Sequence, residues 1–301
     1  AGHRGLVGSA IIRYLTNLKY EVKILTETKK KLDLTNQNLT YQWIKKNKPD
    51  YVIIAAGKVG GIYANNNYPY DFISINSQIA NNLIISSFEN KIKNLVYLGS
   101  SCIYPNNLNR KIKENDLLKG RLESTNEFYS IAKILGCKMC ESINKKYSLN
   151  YFSIMPTNTY GQNDNYDDLN SHVMPALLKK FYLAEKDKLP QVEVWGSGKP
   201  LREFIHVDDL ASGIVKSMIN NKKKFPYMNI GYGDDISIKN LAFMIKKITK
   251  FEGKIVFNNS KPDGTKRKLL DSSRIRSLGW TPKIDLEKGI RLTLKTINKH
   301  I

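Results

Sequence analysis

The feature that most constrains the fold is a continuous apolar run at residues 50–56, Asp-Tyr-Val-Ile-Ile-Ala-Ala, followed by a glycine-rich turn at residues 57–61. A strand that is apolar along its whole length is typical of a parallel sheet covered by helices on both faces. A helical pattern follows at residues 72–84, and a second apolar run lies at residues 94–98. This alternation predicts an α/β fold with a doubly wound parallel sheet.

The chain opens with a second glycine-rich run at residues 2–8, Gly-His-Arg-Gly-Leu-Val-Gly, which leads into an apolar helical pattern. Glycines at these spacings allow a tight turn and a close approach of the backbone to a pyrophosphate at the helix N-terminus. Such a run normally follows a strand, and only Ala1 precedes it, so we expect that the first strand is missing here. The pattern predicts a Rossmann-type domain at residues 1–162 and a smaller substrate-binding lobe at 163–301, with 205–228 returning to the first domain.

A further strand predicted at residues 20–25 ends where such folds contact the adenosine ribose of a dinucleotide. Glu27 favours NAD there, because its carboxylate can accept a hydrogen bond from the 2′-hydroxyl. Arg4 and Lys29 favour NADP, because cations pair with a 2′-phosphate. Two cations against one carboxylate favour NADP.

Tyr129 and Lys133 are four residues apart in a predicted helix that continues to Tyr147, so their side chains share one helix face. An ammonium beside a phenol stabilises phenolate and lowers a pKa that starts near ~10, which makes the pair a candidate for proton transfer. Residues 99–105, Gly-Ser-Ser-Cys-Ile-Tyr-Pro, place hydroxyls and the Cys102 thiol after the second strand. The alternative for this segment is a serine-rich turn beside a buried cysteine.

Composition excludes several other classes of protein. The formal net charge is +21, but the lysines are scattered and no arginine-rich recognition element accompanies them, so no nucleic-acid partner is expected. Three cysteines form neither a disulfide framework nor a zinc site, no metal is expected, and Cys137 and Cys140 are interpreted as helix packing residues. No membrane span is expected either, and a cytoplasmic location is the default.

Eight segments along nearly the whole chain resemble motifs of the GDP-L-fucose synthase family, which belongs to the extended short-chain dehydrogenases/reductases. They lie at residues 2–10, 58–62, 99–105, 129–133, 155–158, 171–173, 194–198 and 261–265. The resemblance implies conversion of GDP-4-keto-6-deoxy-D-mannose to GDP-L-fucose, by epimerisation at C3 and C5 and NADPH-dependent reduction at C4. The chain departs from the family pattern at Gly57, where alanine is usual, and at Lys180, where arginine is common.

By the same resemblance, Ser100, Tyr129 and Lys133 form the reductase group, Cys102 is the epimerisation base and His172 is the acid. Together with the ribose-site residues Arg4 and Lys29, the residues expected to contact the cofactor are Gly2, Gly5, Leu6, Val7, Gly8, Leu98, Gly99, Ser101, Lys133, Pro156, Thr157, Asn158, Thr159 and His172. The GDP-sugar contacts correspond to Lys180, Trp195, Arg202 and Asp271.

Two alternatives stay open. One is a C4-reductase of a related GDP-4-keto sugar, such as a GDP-4-keto-heptose, without epimerase activity, because fold does not fix substrate. The other is a non-catalytic Rossmann regulator, which would not need Ser100, Tyr129 and Lys133 together. The resemblance also implies a homodimer formed by helices near residues 72–87 and 127–147, and a product destined for a bacterial surface polysaccharide.

Overall fold

The computed structural model describes residues 1–18, 21–168, 170–222, 224–261 and 263–299. In chain order, its helices are α1 (Leu6–Thr16), α2 (Gln37–Asn47), α3 (Ile62–Asn67), α4 (Pro69–Glu89), α5 (Glu127–Tyr147), α6 (Val173–Lys186), α7 (Val207–Asn220), α8 (Ile238–Thr249), α9 (Ser273–Arg276) and α10 (Leu286–Leu294). Its strands are β1 (Tyr51–Ile54), β2 (Asn94–Leu98), β3 (Asn150–Pro156), β4 (Asn158–Tyr160), β5 (Gln191–Trp195), β6 (Leu201–His206), β7 (Tyr227–Ile230), β8 (Asp235–Ser237), β9 (Lys254–Asn258) and β10 (Arg267–Lys268).

The main sheet has the order β1-β2-β3-β7, and every neighbouring pair is parallel. The register aligns Val52 with Leu95 and Leu95 with Tyr151, so apolar side chains stack across the sheet. All carboxyl ends therefore meet at one edge, where open α/β sheets bind ligands. The predicted doubly wound parallel sheet is confirmed.

The strand predicted at residues 20–25 is not found. Tyr20 lies outside the described residues, and residues 21–28 form no strand. A strand requires a hydrogen-bonded neighbour, and among the described residues this segment has none. The outer edge of β1 bonds instead to Ala1, whose amino group donates to the Ile53 carbonyl at 2.8 Å and whose carbonyl accepts from Ala55 N at 3.1 Å. The expectation of a strand before Gly2 stays a prediction.

Helices cover both faces of the sheet. On one face α1 packs against α7 through Ala10, Ile11 and Ile214, and on the other α4 packs beside α5. Cys137 and Cys140 of α5 are fully buried in that second core, which confirms their interpretation as packing residues.

A close contact holds α5 against β2. A Cβ atom at Gly136 would lie 2.4 Å from Cζ of Tyr97, so only glycine lets the helix approach the strand this closely. Lys133 lies one turn earlier on α5 and is thereby brought to the carboxyl end of β2.

Residues after 160 build a second lobe around its own core. Leu178 and Phe181 of α6 pack with Leu241 and Ile245 of α8. The parallel pair β5-β9 and the sheet β10-β6-β4 flank this core. Among the described residues no helix is long and apolar enough to cross a membrane.

The chain returns to the main sheet through α7 and β7. Strand β7 continues to Ile230, two residues beyond the predicted return at 205–228. Ile275 of α9 and Trp280 also pack in the first domain's core, beside α7.

Candidate active site

A cavity of about 2210 Å³ includes a cleft between the carboxyl edge of the main sheet and the second lobe. The first domain lines it with residues 1–8, 55–63, 99–102 and 156–159, and the lobe contributes the segment from residue 170 to Lys180. An apolar extension of the cavity runs along the outer edge of β1, between α1 and the segment that includes Ile24 and Leu25.

The glycine-rich turn forms a cradle at the start of α1. Gly2 has φ +85°, a conformation that favours glycine, and a Cβ at Gly8 would lie 2.0 Å from the Gly2 carbonyl oxygen. The N-cap residue, Gly5, supplies no side-chain cap, so the first N–H groups of α1 face the cleft without a side-chain acceptor. A helix N-terminus of this kind suits a phosphate group. The residues therefore fit the pyrophosphate of a dinucleotide.

Three charged residues lie at the far end of this cradle. Arg4, Glu27 and Lys29 all line the cleft. The Glu27 carboxylate accepts a hydrogen bond from Thr28 N at 2.9 Å through one of its two oxygens. Within the described ranges, Arg4 and Lys29 have no ion pair or side-chain hydrogen bond, so both cations are available to an anion.

Ser100 and Cys102 lie in a tight turn directly after β2. Cys102 N donates to Ser100 Oγ at 3.1 Å, and Ser130 Oγ of α5 donates to the Cys102 carbonyl at 3.0 Å. These two bonds fix the turn against α5. They bring the serine hydroxyl and the cysteine thiol close to Tyr129, whose pKa both groups affect.

Lys133 lies behind Tyr129 rather than on the cleft wall. Its Nζ donates to the carbonyl of Leu98 at 2.8 Å and lies 5.8 Å from the centre of the Tyr129 ring. Burial lowers the pKa of Lys133 to about 8. Leu98 is likewise buried beneath the wall, so its carbonyl orients the lysine.

The expected lowering of the Tyr129 pKa is wrong. Burial raises this pKa well above its ordinary value, the nearby Cys102 acts in the same direction, and Ser100 opposes them. The free-energy cost of removing a phenolate from water exceeds the electrostatic stabilisation that one distant ammonium provides. Tyr129 is therefore held as the protonated phenol, which is the form that donates a proton.

His172 stands on the opposite side of the cleft, as the N-cap residue of α6. Gly61 holds this segment close, since Gly61 N donates to the Asn170 carbonyl at 2.9 Å and a Cβ at Gly61 would lie 2.5 Å from Ser171 O. The imidazole is exposed to the cleft but surrounded by protein, and this burial lowers the pKa of His172.

Three predicted substrate residues line the lobe wall. Lys180 Nζ donates to the Glu193 carbonyl at 2.9 Å and lies 5.3 Å from the centre of the Trp195 ring. Arg202 Nη1 donates to the Leu201 carbonyl at 2.9 Å, and burial lowers the pKa of its guanidinium. Lys180 beside this indole, with Arg202 lining the same cleft, suits a nucleoside diphosphate.

Asp271 is not among the described residues that line the cleft. Its carboxylate accepts a hydrogen bond from Ser273 N at 2.9 Å, at the start of α9. Its assignment to the substrate stays a prediction.

The sequence of residues 1–231 matches the NAD dependent epimerase/dehydratase family. The chain belongs to this family. It is 50% identical over 293 residues to the putative GDP-L-fucose synthase 2 of Arabidopsis thaliana, which covers 97% of this chain and 89% of that protein. At this identity and coverage the chain also belongs with the GDP-L-fucose synthases within the larger family.

Two solved structures share the whole architecture. A GDP-6-OMe-4-keto-L-xylo-heptose reductase from C. jejuni superposes with a TM-score of 0.93 at 37% identity, covering 100% of this chain and 97% of the reductase. A GDP-L-fucose synthetase from Naegleria fowleri bound to NADP gives a TM-score of 0.90 at 27% identity, covering 99% of this chain and 92% of that chain.

Sequence reasoning missed three residues of the site. Asn126 Nδ2 and Lys268 Nζ each lie 3.7 Å from Cys102 Sγ. Asn76 of α4 holds the Gly57 turn, because Lys58 N donates to its Oδ1 at 2.9 Å. The sequence signal for Lys268 was its place three residues after the motif at 261–265. Pro262 of that motif lies outside the described residues. Asn126 carried no sequence signal beyond its place just before α5.

We predict that Lys133→Met changes the pH dependence of stability in a defined direction. The pKa of Lys133 is about 8 in the folded protein and lies below the ordinary lysine value of 10.5. Between these values the unfolded chain binds the extra proton, so the unfavourable contribution of the buried ammonium to stability is relieved as pH rises. We therefore expect the difference in unfolding free energy, wild type minus Lys133→Met, to increase by up to about 3 kcal/mol between pH 7 and 10.5.

Urea titrations across this pH range measure the difference. Lys145→Met, at an exposed site on the same helix, serves as the matched control. A difference between wild type and Lys133→Met that stays flat with pH would contradict the assignment of a buried, destabilised ammonium.

Proposed function

We propose that this chain converts GDP-4-keto-6-deoxy-D-mannose to GDP-L-fucose, by epimerisation at C3 and C5 followed by reduction at C4. The observation that carries this proposal is the position of the Cys102 thiol, which lies beside Ser100 and Tyr129 and faces Lys268 of the lobe. A reductase alone needs no thiol there. The 50% identity to a plant GDP-L-fucose synthase supports the same substrate.

NADPH is the cofactor that we assign to the cradle at α1. The uncapped first turn of α1 suits its pyrophosphate, and Arg4 and Lys29 suit its 2′-phosphate. The cofactor-bound synthetase structure from Naegleria fowleri supports this choice. When bound, NADPH supplies the hydride for C4.

Epimerisation requires removal of a carbon-bound proton next to the C4 ketone. In the proposed step the Cys102 thiolate takes that proton, and the electron pair of the C–H bond moves onto the C4 oxygen as an enolate. Ser100 stabilises this oxygen by donating a hydrogen bond. His172 then returns a proton to the other face of the carbon.

Reduction uses the same carbonyl oxygen. Tyr129, held as a phenol by its buried position, donates its proton to that oxygen as C4 is reduced. Lys133 fixes the helix end and supplies positive charge behind the ring.

The second candidate is a C4-reductase of a GDP-4-keto-heptose. The reductase from C. jejuni favours it, because that structure superposes over the whole chain with a TM-score of 0.93. The two candidates differ in one observable, which is exchange of carbon-bound hydrogen at C3 and C5.

We predict that the wild type, incubated with GDP-4-keto-6-deoxymannose and NADPH in D₂O, places solvent deuterium at C3 and C5 of GDP-L-fucose. Cys102→Ala should lose this exchange and still reduce C4, giving a product without epimerisation, because Ser100, Tyr129 and Lys133 remain. NMR of the isolated product assigns both the deuterium positions and the stereochemistry.

Cys137→Ala, which removes a buried thiol from α5, is the matched control and should keep the exchange. Consumption of NADPH by the wild type without deuterium at either carbon would overturn the epimerase assignment and favour the heptose reductase.

We predict that Tyr129→Phe slows C4 reduction by roughly 10²–10⁴, because the ring stays and the transferable proton is lost. Stopped-flow oxidation of NADPH measures the step, and fluorescence titration should show unchanged cofactor affinity. Reduction at a rate near that of the wild type would mean that another group protonates the oxygen.

We predict that NADPH binds more tightly than NADH, by roughly 1.5–3 kcal/mol for each charge-assisted contact with the 2′-phosphate. Calorimetric titration at one fixed salt concentration measures the preference, and Arg4→Ala with Lys29→Ala should narrow it. Lys30→Ala, next to Lys29, controls for a general loss of positive charge. Equal affinities of the wild type for the two cofactors would refute the prediction.

The functional unit that we propose is a homodimer formed through α4 and α5. Phe128, Ile131 and Leu135 are exposed on α5 at helical spacing, and Tyr70 is exposed at the start of α4. An apolar stripe of this kind suits an interface between two copies. The cytoplasmic location and the bacterial surface polysaccharide stay predictions.

Ile131→Asp should therefore convert the protein from dimer to monomer in sedimentation velocity. The control is Ile219→Asp, which places the same charge at an exposed site on α7. A wild type that sediments as a monomer at micromolar concentration would exclude this interface.

A further inference from the structure

A lysine of the second lobe contacts the reactive sulfur of the first domain. Lys268 Nζ lies 3.7 Å from Cys102 Sγ, and Asn126 Nδ2 lies at the same distance. Within the described ranges this is the one polar side-chain contact recorded for Lys268. The ammonium is therefore directed at the thiol and at no carboxylate.

The backbone that carries Lys268 is firmly held. Strand β10 pairs with β6, which aligns Lys268 with Arg202. The next two residues are buried, and Leu270 N donates to the buried carboxylate of Glu203 at 3.0 Å. The backbone position of Lys268 is thus set by the sheet and by the core beneath it.

Other charged groups near the thiol come from several elements. Arg202 of β6 and Tyr129 of α5 both interact electrostatically with Cys102. Two carboxylates, Glu123 and Asp263, interact electrostatically with Arg202. Glu123 also accepts a hydrogen bond from Thr265 Oγ1 at 3.1 Å, and Asp263 accepts one from Ser197 N at 2.7 Å. Within the described ranges, Lys268 is the charged side chain that has a hydrogen-bond contact with the sulfur.

We propose that Lys268 is a positioning residue for Cys102, holding its sulfur as the thiolate that removes the carbon-bound proton. This inference rests on the proposed function, because only the epimerase stage needs a thiolate. A thiolate, not a thiol, is the reactive form of cysteine, and an adjacent lysine stabilises it. When the thiolate takes the proton it becomes a neutral thiol. The Lys268 ammonium then faces the negatively charged enolate.

The test measures the thiolate directly and needs no substrate. Iodoacetamide alkylates Cys102 at a rate proportional to its thiolate fraction, and peptide mass spectrometry separates it from Cys137 and Cys140, which are fully buried. For Lys268→Met we expect the midpoint of the rate-against-pH curve to rise by about one unit, which makes alkylation at pH 7 roughly tenfold slower.

Matched variants separate charge from structure. Lys268→Arg keeps the cation and should restore most of the alkylation rate. Lys266→Met removes an exposed lysine two residues earlier and should leave the curve unchanged. If Lys268→Met does not fold, Lys268→Gln, which keeps a polar chain of similar length, takes its place in the same measurement.

An alkylation curve that is identical in wild type, Lys268→Met and Lys268→Gln would overturn the inference, whatever the enzyme's activity. Deuterium exchange at C3 and C5 tests the proposed function independently. If Lys268→Met shifts both the alkylation curve and the pH dependence of deuterium exchange in the same direction, the inference is supported. A shifted curve in an enzyme that exchanges no deuterium overturns the role in epimerisation while leaving the contact between lysine and sulfur in place.

Discussion

The hydrogen bond from Lys133 to the carbonyl of Leu98 joins the helix α5 to the end of the central strand β2, and the active site is arranged around it. Gly136 allows the helix to approach closely enough for this bond, because any Cβ there would collide with Tyr97. One turn before the lysine, Tyr129 is thereby set beside Ser100 and Cys102. A single close contact between helix and strand thus places both the proton donor and the thiol.

Burial, more than any pair of charges, governs the electrostatics of this site. It raises the pKa of Tyr129 and lowers that of Lys133, so the expected phenolate does not form in the free protein. For a reductase this is the useful outcome, because the tyrosine must hold its proton until the carbonyl oxygen becomes basic. Lys133 acts through its position and through the positive charge that it carries below its pKa of about 8.

The sequence was sufficient for the main features because they depend on local patterns. Apolar runs identify β1 and β2, glycine spacing identifies the cradle at α1, and the four-residue spacing identifies Tyr129 with Lys133. It was insufficient where a role depends on distant contacts. The segment at 21–28 has strand composition but no neighbour to pair with, and Lys268 meets Cys102 only because β10 pairs with β6.

The two chemical stages draw on different parts of the molecule. Tyr129, the proposed proton donor to the C4 oxygen, and Ser100, the proposed hydrogen-bond donor to it, stand on the first domain and are fixed by α5 and β2. The environment of Cys102 is shared, because its sulfur is held by the first domain while Lys268 and Arg202 reach it from the lobe. The contact to the proposed epimerisation base therefore spans the first domain and the lobe, whereas the groups that surround Tyr129 belong to the first domain.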